Sequence, residues 1–241
     1  MKRNNQDHKA FVKAKFDRIV RRYDLVNSLG SFYQDYFWRK AVAKLFKEVE
    51  GPFLDLCSGP FTLSFEILKV NPSKLFALDL SFEMLLYGKS KVSPLQKYIY
   101  PIRGDAERLP FKEETFGAIS IAFGLRNLPD RAKALQEFYR VLKPGGLLVI
   151  LEFSKPKNFL FRYPYLLYLK YGLSFIGGLL TGDKEAYQYL ASSIEKFPPI
   201  EEIHKLLEKN GFKRLLLKSL TLGVVTLYAY IKEDLPFLKG F

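Results

Sequence analysis

The chain has 241 residues, enough for one large domain or two small ones, and its 48% hydrophobic content allows a sizeable core. A formal net charge of +13 leaves three anionic partners open, namely nucleic acid, a lipid surface and an acidic substrate, beside a merely lysine-rich solvated surface. The single cysteine, Cys57, excludes an intrachain disulfide and favours a reducing compartment; with only two histidines, His8 and His204, no metal site is expected.

The opening MKRNNQDHKAFVKAKF lacks the apolar core of a signal peptide. Residues 9–23 place Val12, Phe16, Ile19, Val20 and Tyr23 on one helical face and Lys13, Lys15, Arg18, Arg21 and Arg22 mostly on the other, a basic amphipathic helix. A second helix is predicted over Asp35–Val49. From Gly51 short apolar runs alternate with helical patterns: PFLDLC, a helix near Thr62–Val70, KLFALD, a helix near Phe82–Lys91, YIYPIRGD, FGAISIAF, a helix over Arg131–Leu142 stopped by KPGG, then LLVILEF. This alternation predicts a parallel sheet covered on both faces, with Pro101 placing its strand at an edge.

The apolar stretch Tyr163–Gly182 is long enough to span a bilayer, but Pro164, Lys170 and its glycines interrupt it, so a greasy surface element or pocket lid is expected. A helix near Ile200–Lys209 and an antiparallel hairpin, KRLLLKSL and VVTLYAYI around Thr221–Gly223, end the chain on the sheet edge. The expected organisation over 1–241 is one domain: a helical cap (1–50), a cofactor-binding core (51–155), a substrate lid (156–200) and a C-terminal helix with edge hairpin (201–241).

In an open parallel sheet ligands bind at the carboxyl ends of the strands. Those ends carry Asp55, Cys57, Ser58 and Gly59; Asp79; Asp105 and Ala106; Gly124, Leu125, Arg126 and Asn127; and Glu152, Phe153 and Ser154. Asp79 follows Asp55 at about the spacing from which a carboxylate accepts hydrogen bonds from ribose hydroxyls, and Asp105 could receive an adenine amine. No P-loop is present, and Pro60 and Phe61 spoil a pyrophosphate turn, since proline lacks an N–H and phenylalanine blocks backbone approach. A phosphate-free adenosyl cofactor fits, which describes S-adenosylmethionine.

Three stretches then make a specific resemblance: FDRIVRRYDLVNSLGSFYQDYFWR; GDAERLPFKEETFGAISIAFGLRNLPD continuing to RVLKPGGLLVILEFSKP; and YQYLASSIEKFP with GFKRLLLKSLTLGVVTLY. Together they resemble the ubiquinone/menaquinone biosynthesis C-methyltransferases, a family of class I S-adenosylmethionine-dependent methyltransferases. The resemblance implies an α/β, Rossmann-like fold with a seven-stranded, mostly parallel sheet whose last strand is antiparallel. It implies cofactor positions at Gly59, Asp79, Asp105 and Ala106. The chain departs from the family where Ser58-Gly59-Pro60-Phe61-Thr62 replaces a glycine-rich turn and where Ala122 stands in place of a frequent serine. Asp55, Pro60 and Ala122 complete the expected cofactor site.

On that resemblance the expected reaction is C-methylation of a prenylated quinol ring, with positioning supplying most of the catalysis. Arg126 is expected beside the developing phenolate, with Asn127 and Tyr23 next to it, and Asp24 and Asn27 closing over the ring. The prenyl tail is expected on Asn158–Leu180, and the basic N-terminal helix on anionic lipid, which makes the protein cytoplasmic and peripherally membrane-associated. Benzoquinol and naphthoquinol rings, and monomer and homodimer, stay open. The competing readings are an RNA methyltransferase, disfavoured because FGLRN lacks the proline-rich signature of base methylation, and a degenerate lipid- or partner-binding protein.

Overall fold

A computed structural model describes residues 4–173, 175, 178–179 and 182–233. The C-terminal end of the chain past 233, and part of the apolar stretch read over 163–182, lie outside them.

Seven strands form one sheet in the order β3-β2-β1-β4-β5-β7-β6. The strands are β1 (Phe53–Leu56), β2 (Leu75–Asp79), β3 (Ile99–Arg103), β4 (Phe116–Ala122), β5 (Leu142–Phe153), β6 (Phe212–Leu220) and β7 (Val225–Lys232). The pairs β3-β2, β2-β1, β1-β4 and β4-β5 are parallel; β7 runs antiparallel to both β5 and β6. The hairpin therefore inserts its second strand against β5 and leaves β6 at the edge. The other edge is β3, where the missing N–H of Pro101 is tolerated. KPGG, read as a helix stop, is absorbed as an irregularity at the start of β5: pairing jumps from Phe116↔Leu142 to Ala118↔Leu147.

Side-chain alternation sends each strand's residues to two opposite cores. Leu54, Leu56, Ile119, Ile121, Leu148, Ile150, Tyr228 and Tyr230 meet α6 (Arg131–Val141) and α9 (Ile200–Lys209) on one face. Phe53, Ala118, Val149, Leu151, Leu227 and Ala229 meet α3 (Gln34–Lys44) and α4 (Thr62–Val70) on the other, with α5 (Phe82–Ser90) beyond. A third apolar cluster, including Ile19, Val26, Leu169, Leu173, Tyr187 and Ile194, joins α1 (Asn5–Ile19) and α2 (Tyr23–Gly30) to the turn after α7 (Phe159–Leu167) and to α8 (Lys184–Lys196). The predicted first helix thus breaks at a 3-10 turn, Val20–Arg22, so that Tyr23 opens α2 instead of ending α1. The bend lets Phe16 and Tyr23 face each other edge-on at 5.9 Å.

The carboxyl ends of β1 and β4 are fastened by Asp55. Its Oδ1 accepts from Ser120 Oγ of β4 at 2.7 Å and its Oδ2 from Ser64 Oγ of α4 at 2.6 Å. Beyond this clasp the chain turns through left-handed backbone at Cys57 (φ 52°), Gly59 (φ 52°) and Phe61 (φ 64°). Only the glycine is at ease there; a bulky residue pays about 1–3 kcal/mol. Phe61 recovers that cost by burial. Its ring is fully buried in the core with Phe53 and Ile67, and it presses on α5 at Gly88, where a Cβ would lie 2.6 Å from the ring.

Two outcomes follow for stability. Phe61→Ala keeps the strained backbone and empties the socket, so urea denaturation should show a loss of about 3–5 kcal/mol. Burial, opposed by the two serine hydroxyls, pushes the Asp55 carboxyl up to about 6. A raised carboxyl binds its proton more tightly folded than unfolded, so its stabilising contribution is present below the unfolded value and is lost as pH rises through 6. Relative to Asp55→Asn, the wild type should lose roughly 3 kcal/mol between about pH 4 and pH 6 and then change little.

Candidate active site

β1 and β4 are adjacent, and the chain leaves them toward opposite sides of the sheet, which makes their carboxyl ends the topological switch point. Two cavities meet there. The first, of about 90 Å³, is lined by the strand-end residues Cys57, Gly59, Asp79, Asp105, Ala106, Ala122, Gly124 and Asn127 and is roofed by Lys9, Val12 and Phe16 of α1. The second, of about 210 Å³ and mostly apolar, lies between α2, α3, α7 and α8 and reaches Arg126 and Phe153. Phe16, Tyr23 and Phe123 line both, so they form the shared wall.

Asp79 is well built to hold vicinal hydroxyls. The Gly59 N–H donates to its Oδ2 at 2.9 Å and the Ser81 N–H to its Oδ1 at 2.8 Å. Each carboxylate oxygen keeps further acceptor capacity toward the cavity. Burial pushes the Asp79 carboxyl up, partly offset by these amide donors. Asp105 sits further along; its Oδ1 accepts from the Glu107 N–H at 2.9 Å and its Oδ2 from Lys9 Nζ of the roof at 2.7 Å. Asp17 of α1 accepts from Ser81 Oγ, a second latch between roof and floor.

The cavity suits a cation. Burial pushes the Cys57 thiol well above its ordinary value, and Asp79, Asp55, Glu152 and Asp105 push it further in the same direction. Burial alone would disfavour a charge of either sign; the preference for a sulfonium comes from the carboxylates of Asp79 and Asp105, which line the cavity itself. Gly124 is required here because a Cβ would stand 2.6 Å from Cys57 Cβ. Phe61 does not line the cavity, so the bulky turn leaves the hollow open. The acceptors at Asp79 and Asp105 and their negative charge therefore fit an adenosyl sulfonium, and the residues that would hold it are Gly59, Asp79, Asp105, Ala106 and Ala122. Asp55 and Pro60 line a smaller recess behind, which shares Tyr23, Cys57 and Ala122 with the larger cavity.

In the apolar chamber, Arg126 is buried and held on four sides. Its backbone N–H donates to Glu152 Oε2 at 3.0 Å, its Nη1 to Glu152 Oε1 at 2.8 Å and to the Phe123 carbonyl, and its Nε to Ser193 Oγ at 3.2 Å. Nη2 has no protein partner among the described residues. Glu152 itself is fully buried. Asn127 lines the smaller cavity, and its Oδ1 accepts at 3.1 Å from the hydroxyl of Tyr189, which lines the chamber. Asp24 points elsewhere: it accepts from Thr62 Oγ1 at 2.7 Å and Lys91 Nζ at 2.6 Å, tying α2 to α4 and α5. Asn27 lines the chamber.

Sequence reasoning missed Tyr165. Its hydroxyl is buried in the chamber wall with no hydrogen-bond partner among the described residues. Burial pushes it far up, while Arg126 opposes and Glu152 adds to the rise. Burial likewise raises Tyr23, with Arg39 and Arg126 pulling it back. Both phenols are therefore neutral hydroxyls near neutral pH. Glu152 had a legible signal, since a carboxylate at the end of the apolar run LLVILEF needs a buried partner. Tyr165 had none, because it sits in an aromatic-rich stretch where every tyrosine looks alike.

The profile of the ubiE/COQ5 methyltransferase family matches residues 2–232. The ubiquinone/menaquinone biosynthesis C-methyltransferase UbiE of Syntrophotalea carbinolica is 43% identical over 216 residues, covering 89% of this chain and 91% of that protein. A demethylmenaquinone methyltransferase of Staphylococcus aureus is 37% identical over 233 residues, covering 95% and 96%. Among solved structures, an S-adenosylmethionine-dependent methyltransferase of Thermotoga maritima, described as a possible histamine N-methyltransferase, superposes with a TM-score of 0.64 at 20% identity, over 92% of this chain and 100% of that one. That likeness concerns the fold, whereas the profile and the sequence relatives cover both the strand-end cavity and the capped chamber, and on their strength the chain belongs to the ubiE/COQ5 methyltransferase family.

Proposed function

We propose that this chain is an S-adenosylmethionine-dependent C-methyltransferase that methylates the ring of a prenylated quinol, with the ring in the apolar chamber. The single observation that carries the reading is the shared wall: a cavity that carries the carboxylates of Asp79 and Asp105 and an apolar chamber meet at Tyr23 and Phe123 with Arg126 just beyond. The relatives named as demethylmenaquinone and ubiquinone/menaquinone methyltransferases support a quinol as the acceptor.

Bound at Gly59, Asp79 and Asp105, S-adenosylmethionine supplies an electrophilic methyl group. The chain's work is to aim, hold and exclude water. Asp79 fixes the ribose end, and α1 closes the roof through Lys9 and Asp17. Arg126 turns Nη2 toward the ring oxygen and stabilises the negative charge that builds there when the hydroxyl loses its proton. That charge raises electron density at the neighbouring ring carbon, which would take the methyl group as its bond to sulfur breaks, leaving S-adenosylhomocysteine; loss of the ring proton to water restores the aromatic ring, and the ring oxygen takes a proton back from water. Tyr165, a neutral hydroxyl nearby, binds the same or the second ring oxygen. Glu152 balances the buried guanidinium and fixes its orientation, so Arg126 is not neutralised by reaching for the substrate. Asp35 also lines the chamber, but it is engaged by Arg39, Ser28 and Ser31 and is a poor base. Tyr23 and Asn127 hold the boundary between ring and methyl donor.

Removing Arg126 alone would strand Glu152 as a buried unpaired charge and destabilise the fold. The informative variant is Arg126→Gln with Glu152→Gln. With a demethylnaphthoquinol and labelled methyl donor, kcat should fall roughly a hundredfold or more, and calorimetry should show donor affinity unchanged. The remaining activity should rise toward alkaline pH, because an unassisted phenol ionises only there; a variant with wild-type kcat and pH profile removes Arg126 from the role. Tyr165→Phe should cost roughly tenfold in kcat/KM, with thermal stability kept, since the lost hydroxyl has no protein partner among the described residues.

A further inference from the structure

Three segments converge where Phe32 and Thr221 line the chamber. Phe32 lines it, and its ring lies 5.8 Å from that of Tyr168, whose hydroxyl donates to the Gly30 carbonyl at 2.6 Å. The β6–β7 turn joins through Thr221, whose Oγ1 accepts from Trp38 Nε1 at 2.8 Å and reaches Gln34 Oε1 at 3.4 Å. The approach to α7 joins through Pro156, whose Cα lies 3.2 Å from where a Cβ on Gly223 would stand.

Large apolar side chains on these segments face water: Phe32 is 70%, Phe159 75% and Leu222 66% exposed, with Tyr33, Phe37 and Tyr163 beside them in exposure. The two loops are also strained. Phe32, Tyr33, Thr221 and Leu222 have φ of 52°, 61°, 45° and 57°. At Phe61 the same strain is offset by burying a ring; on this rim Phe32, Tyr33 and Leu222 leave most of their side chains in solvent, and Phe32 has only the Tyr168 ring beside it. Largely unrecovered strain and exposed apolar area on contiguous loops mark a contact surface.

The charge pattern identifies the partner. No Asp or Glu occurs between Glu152 and Asp183, whereas Lys155, Lys157, Arg162 and Lys170 do; Lys157 is paired with Glu201 at 2.6 Å, so Lys155, Arg162 and Lys170 carry the charge of this stretch. Lys40 Nζ lies 4.3 Å from the Tyr36 ring and Lys170 Nζ 5.3 Å from the Tyr171 ring, the aromatic-plus-lysine pairing that suits a headgroup layer. The basic helix α1 is otherwise employed: Lys9, Lys13 and Lys15 are paired with Asp105, Asp17 and Glu185.

We propose that this rim, formed by the α2–α3 loop with the exposed face of α3 that follows it, the start of α7 and the β6–β7 turn, seats on the surface of an anionic lipid bilayer, and that α1 is not the docking element. The chamber then opens into hydrocarbon, and a prenylated ring enters without crossing water. The purpose rests on the quinol reading; the surface itself rests on exposure, strain and charge.

The test uses the whole protein and phosphatidylcholine vesicles with and without phosphatidylglycerol, read by co-sedimentation. The wild type should bind the anionic vesicles, and the triple variant Phe37→Ser, Phe159→Ser, Leu222→Ser should bind them roughly tenfold or more weakly. None of the three lines the chamber, so methylation of a tail-less, water-soluble quinol should be unchanged. Arg18→Gln with Arg21→Gln on α1 should alter vesicle binding by less than about threefold, as expected of charges off the docking face. Wild type that ignores anionic vesicles, or a triple variant that binds them equally, overturns the proposal. A triple variant that instead turns a dimer into a monomer by light scattering, with vesicle binding intact, also overturns it and makes the face a protomer interface. Because binding is read without turnover, absence of methyl transfer to the tail-less quinol would sink the quinol reading and leave the docking face standing.

Discussion

The buried carboxylate of Asp55 is the constraint on which the site depends. One oxygen takes Ser120 of β4 and the other Ser64 of α4, so the ends of two central strands and the start of the following helix are fixed by one side chain. The cost is a carboxylate held in an apolar interior, and the return is position. With the strand ends fixed, the turn after β1 can be driven through left-handed backbone, and Gly59 can present its N–H to Asp79. Phe123 at the end of β4 adopts the same unusual backbone, at φ 57°. One of the two groups of strained residues therefore lies where two central strands release the chain, which is where binding geometry has to be exact to a fraction of an ångström; the other lies on the rim loops.

The two cavities differ in chemistry because their walls come from different places. Strand ends supply the carboxylates of the smaller one, and a carboxylate there is cheap because backbone amides of the next turn can satisfy it. Helices of the cap supply the larger one, and helix faces packed on each other are apolar, so its polar groups are few and must be individually supported. Arg126 shows this most clearly. It enters an apolar chamber only because Glu152, Ser193 and the Phe123 carbonyl hold it. A guanidinium on one side of the shared wall and the carboxylates of Asp79 and Asp105 on the other place groups of opposite charge at the two ends of a methyl transfer, which suits a positive donor and an acceptor that becomes negative.

The cap is fastened to the core by polar contacts along one side and opens on the other. On the donor side, Lys9 and Asp17 reach Asp105, Glu107 and Ser81. On the far side the α2–α3 loop and α7 leave aromatic side chains in water, and the β6–β7 turn leaves Leu222. The absence of a long enough apolar helix to cross a membrane among the described residues is compatible with such a face, since a surface needs only a few rings at its rim.

Much of this was legible in the sequence. The alternation of apolar runs and helical patterns set a parallel sheet, Pro101 set an edge, and the hairpin after Gly211 set the antiparallel strand, because each rests on local backbone rules that tertiary packing seldom overrides. The motif order likewise pointed to the methyltransferase family and its donor. The sequence could not show where Phe61 points: a left-handed residue can aim its ring at a ligand or at a core, and only the space left by Gly88 decides. Nor could it show that Asp55 faces Ser64 and Ser120 while Asp79 and Asp105 face the cavity, since all three are acids at strand ends and differ only in what folds next to them. The lysines of α1 illustrate the same limit. Their helical spacing is written in the chain, but whether a charge meets water, lipid or a carboxylate 96 residues away is a long-range contact, fixed only when the sheet and cap close on each other.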